Sequence, residues 1–201
     1  MIAQLVPVLL AFGANLGDRG ETIAAAQREL AEAPGILAFR ASPLRESVAV
    51  TLAGPDPLAP RYLNGVALAE TTLAPHDLLD LLQEVEARHG RVRDARWADR
   101  TLDIDLILYG GRAVSDERLT VPHPRAHERD FVLAPWLDLD PDAVLMGHGR
   151  VDALLARIGD TTAPIGERIA RAGDVRKSAG DTAARAADTP ADAGADPRGE
   201  A

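Results

Sequence analysis

Residues 102–106 read Leu-Asp-Ile-Asp-Leu, the stretch that most restricts how this chain folds. Side chains on a β-strand alternate between its two faces, so Leu102, Ile104 and Leu106 go to one side and Asp103 and Asp105 to the other. An apolar face demands a covering layer. A face with two neighbouring carboxylates demands cations or water. Four arginines, Arg91, Arg93, Arg96 and Arg100, and the aromatic ring of Trp97 lie immediately upstream. Carboxylate oxygens suit Mg²⁺, which is commonly held by one or two acidic side chains together with substrate phosphates. Guanidinium groups present planar forks to phosphate oxygens. The combination points to a site that handles a nucleoside triphosphate. It also fits the solvent face of a half-buried strand preceded by a solvated basic run, with Trp97 as a core anchor.

The rest of the chain restricts the alternatives. With 201 residues there is material for one domain with a sizeable core. There is no cysteine, which excludes disulfides and thiolate metal sites. The net charge of −9 argues against general affinity for nucleic acid or anionic membrane. Lys177 is the only lysine, so a lysine-based phosphate loop is excluded from the folded part. No apolar run approaches the ~20 residues of a membrane span. The N-terminal stretch has no basic leader and runs into a strand pattern, so a cytoplasmic location is the expectation.

Apolar spacing and Gly/Pro punctuation predict strands over 6–12, within 36–50, over 62–72, over 102–109 and near 112–114. They predict helices over 21–33, 75–89, 128–137 (with a possible break at Pro135) and 151–158. Asp18 is placed to cap the first helix and Pro75 to open the second. Residues 51–60, dense in Pro and Gly, read as a loop. The order β-α-β-β-α-β favours an α+β sandwich over a doubly wound sheet. Residues 1–165 are expected to form the domain. Residues 166–201, whose last twenty-one positions contain no large apolar side chain, are expected to be a disordered tail.

Four segments, FGANLGDR, YLNGVALAET, GRVRDARWADRTLDIDLILYG and LTVPHPRAHERDFVLAPW, together resemble the 2-amino-4-hydroxy-6-hydroxymethyldihydropteridine pyrophosphokinases, over about residues 8–155. The resemblance implies a ferredoxin-like α+β sandwich, mainly antiparallel. It also implies transfer of pyrophosphate from ATP to the hydroxymethyl group of 6-hydroxymethyl-7,8-dihydropterin, giving AMP, in folate biosynthesis. Asp103 and Asp105 then match the ligands of two Mg²⁺ ions. Arg91 and Arg100 match arginines that act on the phosphates and complete the catalytic group, and Arg93 lies beside Arg91 on a mobile loop. For the pterin the resemblance implies Trp97 and Phe131 on its two faces, Tyr62 and Asn64 at its edge, and Ser47 where a threonine is usual. For ATP it implies Gln83, Glu86, Arg118, Thr120 and His123 around the nucleotide, with Arg93 also on the ATP side and Arg129 near the phosphates. A monomer is implied, with ATP and the pterin as partners.

The chain also departs from the family pattern. Ala14 replaces a frequent serine, and Asp94 stands where a basic residue can occur. Trp97-Ala-Asp-Arg100 replaces Trp-Gly-Pro-Arg in a loop one residue shorter than in some members. The run SVAVTLAGPDPLAP replaces a Thr-Pro and Gly-rich cover. His76, His89, His127 and His148 receive no role. Two other functions fit parts of the pattern: a Mg²⁺-dependent nucleotidyltransferase, which would release pyrophosphate, and a non-catalytic nucleotide- or pterin-binding module. In nucleotidyltransferases the glycine turn lies one short helix from its Asp-x-Asp strand, whereas Gly13 and Asp103 are 90 positions apart.

Overall fold

The structure, a computed structural model, describes residues 4–51, 54–56, 58–90 and 101–165. The expected tail at 166–201 and the arginine–tryptophan loop at 91–100 lie outside the described residues.

Along the chain run β1 (Val6–Ala14), α1 (Arg19–Glu32), β2 (Ile36–Ala41), β3 (Arg45–Ser47), β4 (Ala49–Thr51), β5 (Gly54–Asp56), β6 (Tyr62–Thr71) and α2 (Pro75–Arg88). Then follow β7 (Asp103–Tyr109), β8 (Val114–Ser115), β9 (Thr120–Val121), a 3₁₀ turn (Ala126–Glu128), α3 (Asp130–Leu139), β10 (Val144–Leu145), β11 (Gly149–Arg150), α4 (Val151–Ile158) and β12 (Ala163–Pro164). The main sheet has the order β12-β3-β6-β1-β7, with β2 also on β6, and every pairing in it is antiparallel. This is the expected α+β architecture, with β1 and β6 central.

Local chemistry sets the element ends. The Asp18 carboxylate accepts the Glu21 N–H at 3.1 Å, and Pro75 occupies the first turn of α2, where its missing N–H costs nothing. Gly35 reverses the chain between α1 and β2 at φ +87°, and a Cβ there would come within 2.9 Å of Leu73.

The strand expected within 36–50 is three short ones. Pro43 brings no N–H to the ladder, and at the break the Ser42 hydroxyl accepts the Val66 N–H at 3.0 Å in place of a backbone carbonyl. The expected loop at 51–60 contains β5, which folds back on β4 with Ala49 opposite Asp56. The helix expected over 128–137 begins two residues later, after the 3₁₀ turn, and continues through Pro135, because Val132, Leu133 and Trp136 around it are all buried.

The sheet has two differently covered faces. On one, Val6, Val8, Leu10 and Phe12 of β1 pack with Ile104 and Leu106 of β7 against Ile23 and Leu30 of α1 and Leu78, Leu82 and Val85 of α2. On the other, Leu9, Ala11, Val66 and Ile107 meet Val132, Leu133 and Trp136 of α3 and Val151 and Leu154 of α4. Each fully buried leucine or valine contributes roughly 1.5–3 kcal/mol. The second face is polar at the end carrying Asp103.

Candidate active site

Sheet register brings the functional side chains together. Gly13 of β1 lies opposite both Asp103 of β7 and Asn64 of β6, and Asn64 lies opposite Arg45 of β3. One row therefore reads Arg45, Asn64, Gly13, Asp103 across four strands. In the next row, Asp105 faces Ala11, which faces Val66. Between the carboxylates and the polar side of β6 the floor holds only a hydrogen at Gly13 and a methyl at Ala11. Gly13 has an ordinary φ, and a Cβ there would sit 3.5 Å from Asn64 Oδ1, a normal contact. Its smallness keeps the floor open and is not a backbone requirement.

The two sides of this floor differ. Asn64 and Ser47 are buried at 4% and 5% exposure, and Asn64 Nδ2 donates to Ser47 Oγ at 2.8 Å. That bond fixes which way the amide points. Tyr62, half-buried, lies opposite Ser47 in the register. On the other side, Asp105 Oδ2 accepts from Arg129 Nη1 at 3.0 Å, and the Arg129 guanidinium lies 5.5 Å from the centre of the Phe131 ring. His123 Nε2 stands 3.9 Å from the same carboxylate oxygen. The Arg125 N–H donates to His123 Nδ1 at 3.2 Å, so in the neutral ring the proton sits on Nε2, facing Asp105. Burial pushes the His123 pKa down, partly opposed by the Asp105 charge and reinforced by Arg129. Burial thus disfavours a further cation beside a carboxylate already paired with a guanidinium.

Glu86, 2% exposed on α2, accepts the N–H of Ile104 at 2.7 Å. Ile104 separates the two aspartates, so this buried carboxylate fixes the backbone that presents them. Gln83, half-buried, lies three residues earlier on the same side of α2. Arg118 is exposed and pairs with Asp80 of α2, while His76 Nε2 lies 2.9 Å from Asp116 Oδ2, so two contacts hold the β8–β9 turn against α2. Backbone N–H groups of Arg118 and Leu119 hold the Asp116 pKa down. Thr120 is exposed on β9.

Of the residues singled out in the sequence, Asp103, Asp105, Asn64, Ser47, Arg129, Phe131 and His123 come together at this end of the sheet. Gln83, Glu86, Arg118 and Thr120 form a second group along and beside α2. Arg91, Arg93, Trp97 and Arg100 lie outside the described residues. The histidines given no role do have partners. Besides His76, His89 Nε2 meets Glu29 at 3.1 Å, and His127 stacks on His148 with ring centres 4.0 Å apart. Sequence reasoning missed Gly13, whose position between Asp103 and Asn64 depends on register, and Arg45, which reads as an ordinary strand arginine. It also missed a cleft of about 310 Å³ lined by Asn15, Arg19, Glu46, Pro60 and Arg61. Strand alternation puts Glu46 on the opposite face from Ser47, so this cleft is separate from the aspartate row.

Among the described residues no three His, Asp or Glu side chains gather as a metal cage. Two carboxylates on one open floor are nonetheless a donor set that fits Mg²⁺, an ion that keeps waters and substrate phosphates in its shell.

Known proteins resemble this chain over most of its length. The family profile for 7,8-dihydro-6-hydroxymethylpterin-pyrophosphokinase matches residues 9–141. A 2-amino-4-hydroxy-6-hydroxymethyldihydropteridine pyrophosphokinase of Pseudomonas aeruginosa is 43% identical over 153 residues, covering 74% of this chain and 90% of that protein. The protein of the same name from Haemophilus influenzae is 36% identical over 78% of this chain and 95% of its own length. Among solved structures, Plasmodium falciparum HPPK-DHPS with pteroate superposes with a TM-score of 0.59 at 12% identity, a likeness of fold. That match covers 77% of this chain and 42% of the Plasmodium chain. The chain belongs to the 7,8-dihydro-6-hydroxymethylpterin-pyrophosphokinase family.

Proposed function

We propose that this protein transfers pyrophosphate from ATP to the hydroxymethyl group of 6-hydroxymethyl-7,8-dihydropterin, giving AMP and the pterin diphosphate, as a step of folate biosynthesis. The observation that carries the reading is the floor on which Asp103 faces Asn64 across Gly13, with Asp105 in the adjacent row on the same strand face. Charge handling and heterocycle recognition lie side by side there, as transfer between a nucleotide and a pterin requires.

In this reading Asn64, oriented by Ser47, hydrogen-bonds the pterin edge, and Tyr62 and Phe131 line the pterin site. Trp97 covers the pterin from the arginine loop. Asp103 and Asp105 hold Mg²⁺, two ions in the full assembly. The metal supplies charge neutralisation for the phosphates and acidifies the attacking hydroxyl. Arg129 remains paired with Asp105 while it offers its other nitrogens to phosphate. Arg91, Arg93 and Arg100 complete the positive field, and Gln83, Glu86, Arg118, Thr120 and His123 surround the nucleotide. Glu86 has a further task through its bond to Ile104: it holds the aspartate strand in place. The chain's work is positioning and electrostatics, because phosphoryl-type transfer leaves little covalent chemistry to the protein.

The catalytic unit is residues 1–165, acting as a cytoplasmic monomer. No helix among the described residues is long and apolar enough to cross a membrane. Incubation with ATP, Mg²⁺ and the hydroxymethylpterin, followed by chromatography, tests the reading. AMP together with a pyrophosphorylated pterin is the expected result. Release of pyrophosphate, or no turnover, overturns it.

A further inference from the structure

The C-terminal end of the described chain is tied down in an unusual way. Residues 160–164 leave α4, cross to the far edge of the sheet and pair there as β12 against β3, with Ala163 opposite Glu46 and Pro164 opposite Arg45. Two side chains latch this segment. Arg45, only 14% exposed, uses all three guanidinium nitrogens: Nε donates to Thr162 Oγ1 at 2.8 Å, Nη2 to Asp160 Oδ2 at 2.8 Å, and Nη1 to Asp138 of α3 at 3.3 Å. Asp130 Oδ2 accepts both the N–H of Thr161 at 2.8 Å and its hydroxyl at 2.5 Å, while Oδ1 accepts the Phe131 N–H at 2.8 Å.

Both latches sit next to the polar floor. Arg45 is two residues from Ser47, on the same strand face, in a three-residue strand that without β12 would be a free edge. Asp130 directly precedes Phe131. A segment that only covered a sheet edge would not need contacts at these two places. We propose that residues 160–164 form a strap that sets the spacing between the Ser47–Asn64 wall and Phe131, with Arg45 and Asp130 as positioning residues for pterin binding. This rests on the reading above that Ser47, Asn64 and Phe131 face the pterin. ATP-side groups on α2 make no contact with the strap among these bonds, whereas Arg129 directly precedes Asp130, so the Arg45 latch is the one whose effect falls on the pterin alone.

Steady-state kinetics of the full-length protein, with each substrate varied in turn and thermal unfolding alongside, tests the strap. Arg45→Met keeps the stem and removes the polar latch. It raises the pterin KM roughly tenfold, with the ATP KM within about twofold of wild type. Thr161→Val, a near-isosteric change, raises the pterin KM about threefold with little change in melting temperature. Arg45→Lys recovers part of the loss. If Arg45→Met fails to fold, Thr161→Val carries the test. An unchanged pterin KM, or equal rises for both substrates that track the loss of stability, overturns the strap. Phe131→Ala is the control. Should it leave the pterin KM unchanged, the assignment of the pterin wall fails, and the strap fails with it. A raised KM in that control with no effect of the latch variants overturns the strap alone.

Discussion

The two faces of the central sheet are built from the same strands, yet one is covered along its whole length and the other is not. Against α1 and α2, side chains of β1 from Val6 to Ala14 are buried at every second position. Against α3 and α4, apolar contact runs through Leu9 and Ala11 and then stops, and the row at Gly13 carries Asp103 and Asn64. The covered face stores stability. The uncovered end tolerates charges because water, or a ligand, solvates them. On the proposed reading the site lies where the covering layer ends, and the two faces should respond oppositely to substitution.

Asp103→Asn and Asp105→Asn sharpen that contrast most. Each lowers turnover by roughly a thousandfold or more, the scale seen when a charge-stabilising group is lost. Both variants are expected to remain folded, so that the loss of turnover is separable from any change in melting temperature. Mg²⁺-dependent rates measured beside thermal unfolding check this, and substantial activity in both variants would break the assignment. Leu82→Ala on the opposite face does the reverse. It costs about 2–5 kcal/mol in denaturant unfolding because a cavity is left in the core. Both KM values stay near wild type in the folded fraction.

Gly13→Ala is a smaller and more telling change. Its new methyl meets Asn64 Oδ1 at an ordinary 3.5 Å, so stability changes by less than about 1 kcal/mol. Activity nonetheless falls on the order of 10–100-fold, because the methyl stands on the floor between Asp103 and Asn64. Wild-type kinetics in a well-folded Gly13→Ala protein would show that the floor is not where the substrates meet. Ser47→Ala comes next. It removes the acceptor that orients Asn64, leaves a buried amide donor short of a partner, and costs about 1–3 kcal/mol, read as lost stability and a raised pterin KM. Smallest of all is removal of residues 173–201, in which Val175 is the only large apolar side chain. Activity and melting temperature are expected to match the full chain, and an insoluble or slow product would contradict that.

Much of this was legible beforehand, for identifiable reasons. Alternation around Asp103 and Asp105 has a period of two, which needs no knowledge of the partner strand. Asp18 acts through a bond within its own helix, and Pro75 through its fixed φ in the first turn. The roles proposed for Asn64, Phe131 and His123 came only through resemblance, since a lone asparagine in a strand or a phenylalanine at a helix start says nothing by itself. Glu86 was expected beside the nucleotide, and the structure adds its bond to the Ile104 N–H, which follows from how α2 docks on β7. Arg45 and Asp130 were illegible because their partners, Asp160 to Thr162, lie more than a hundred and about thirty positions away respectively.

The end of β7 marks the boundary between the two kinds of information. Strict alternation from Leu102 would place Tyr109 with the aspartates. In the fold the register shifts between Leu9 and Leu10 of β1, so that Leu106 faces Leu10 and Leu108 faces Leu9, with Ile107 as the extra residue. A bulge of this kind resets the facing of everything beyond it. Tyr109 therefore joins Ile104 and Leu106 in the core beneath α1 and α2, its hydroxyl donating to the Leu73 carbonyl at 2.6 Å. The sequence by itself determined the α+β order, the caps and, up to the bulge, which residues of the aspartate strand share a face, because these depend on neighbours a few positions apart. Only the tertiary structure decided that Gly13 separates Asp103 from Asn64, that Glu86 holds the aspartate strand, and that residues 160–164 close the far edge. Those relations join residues from distant parts of the chain, and register and helix docking, set by packing the whole core at once, fix them.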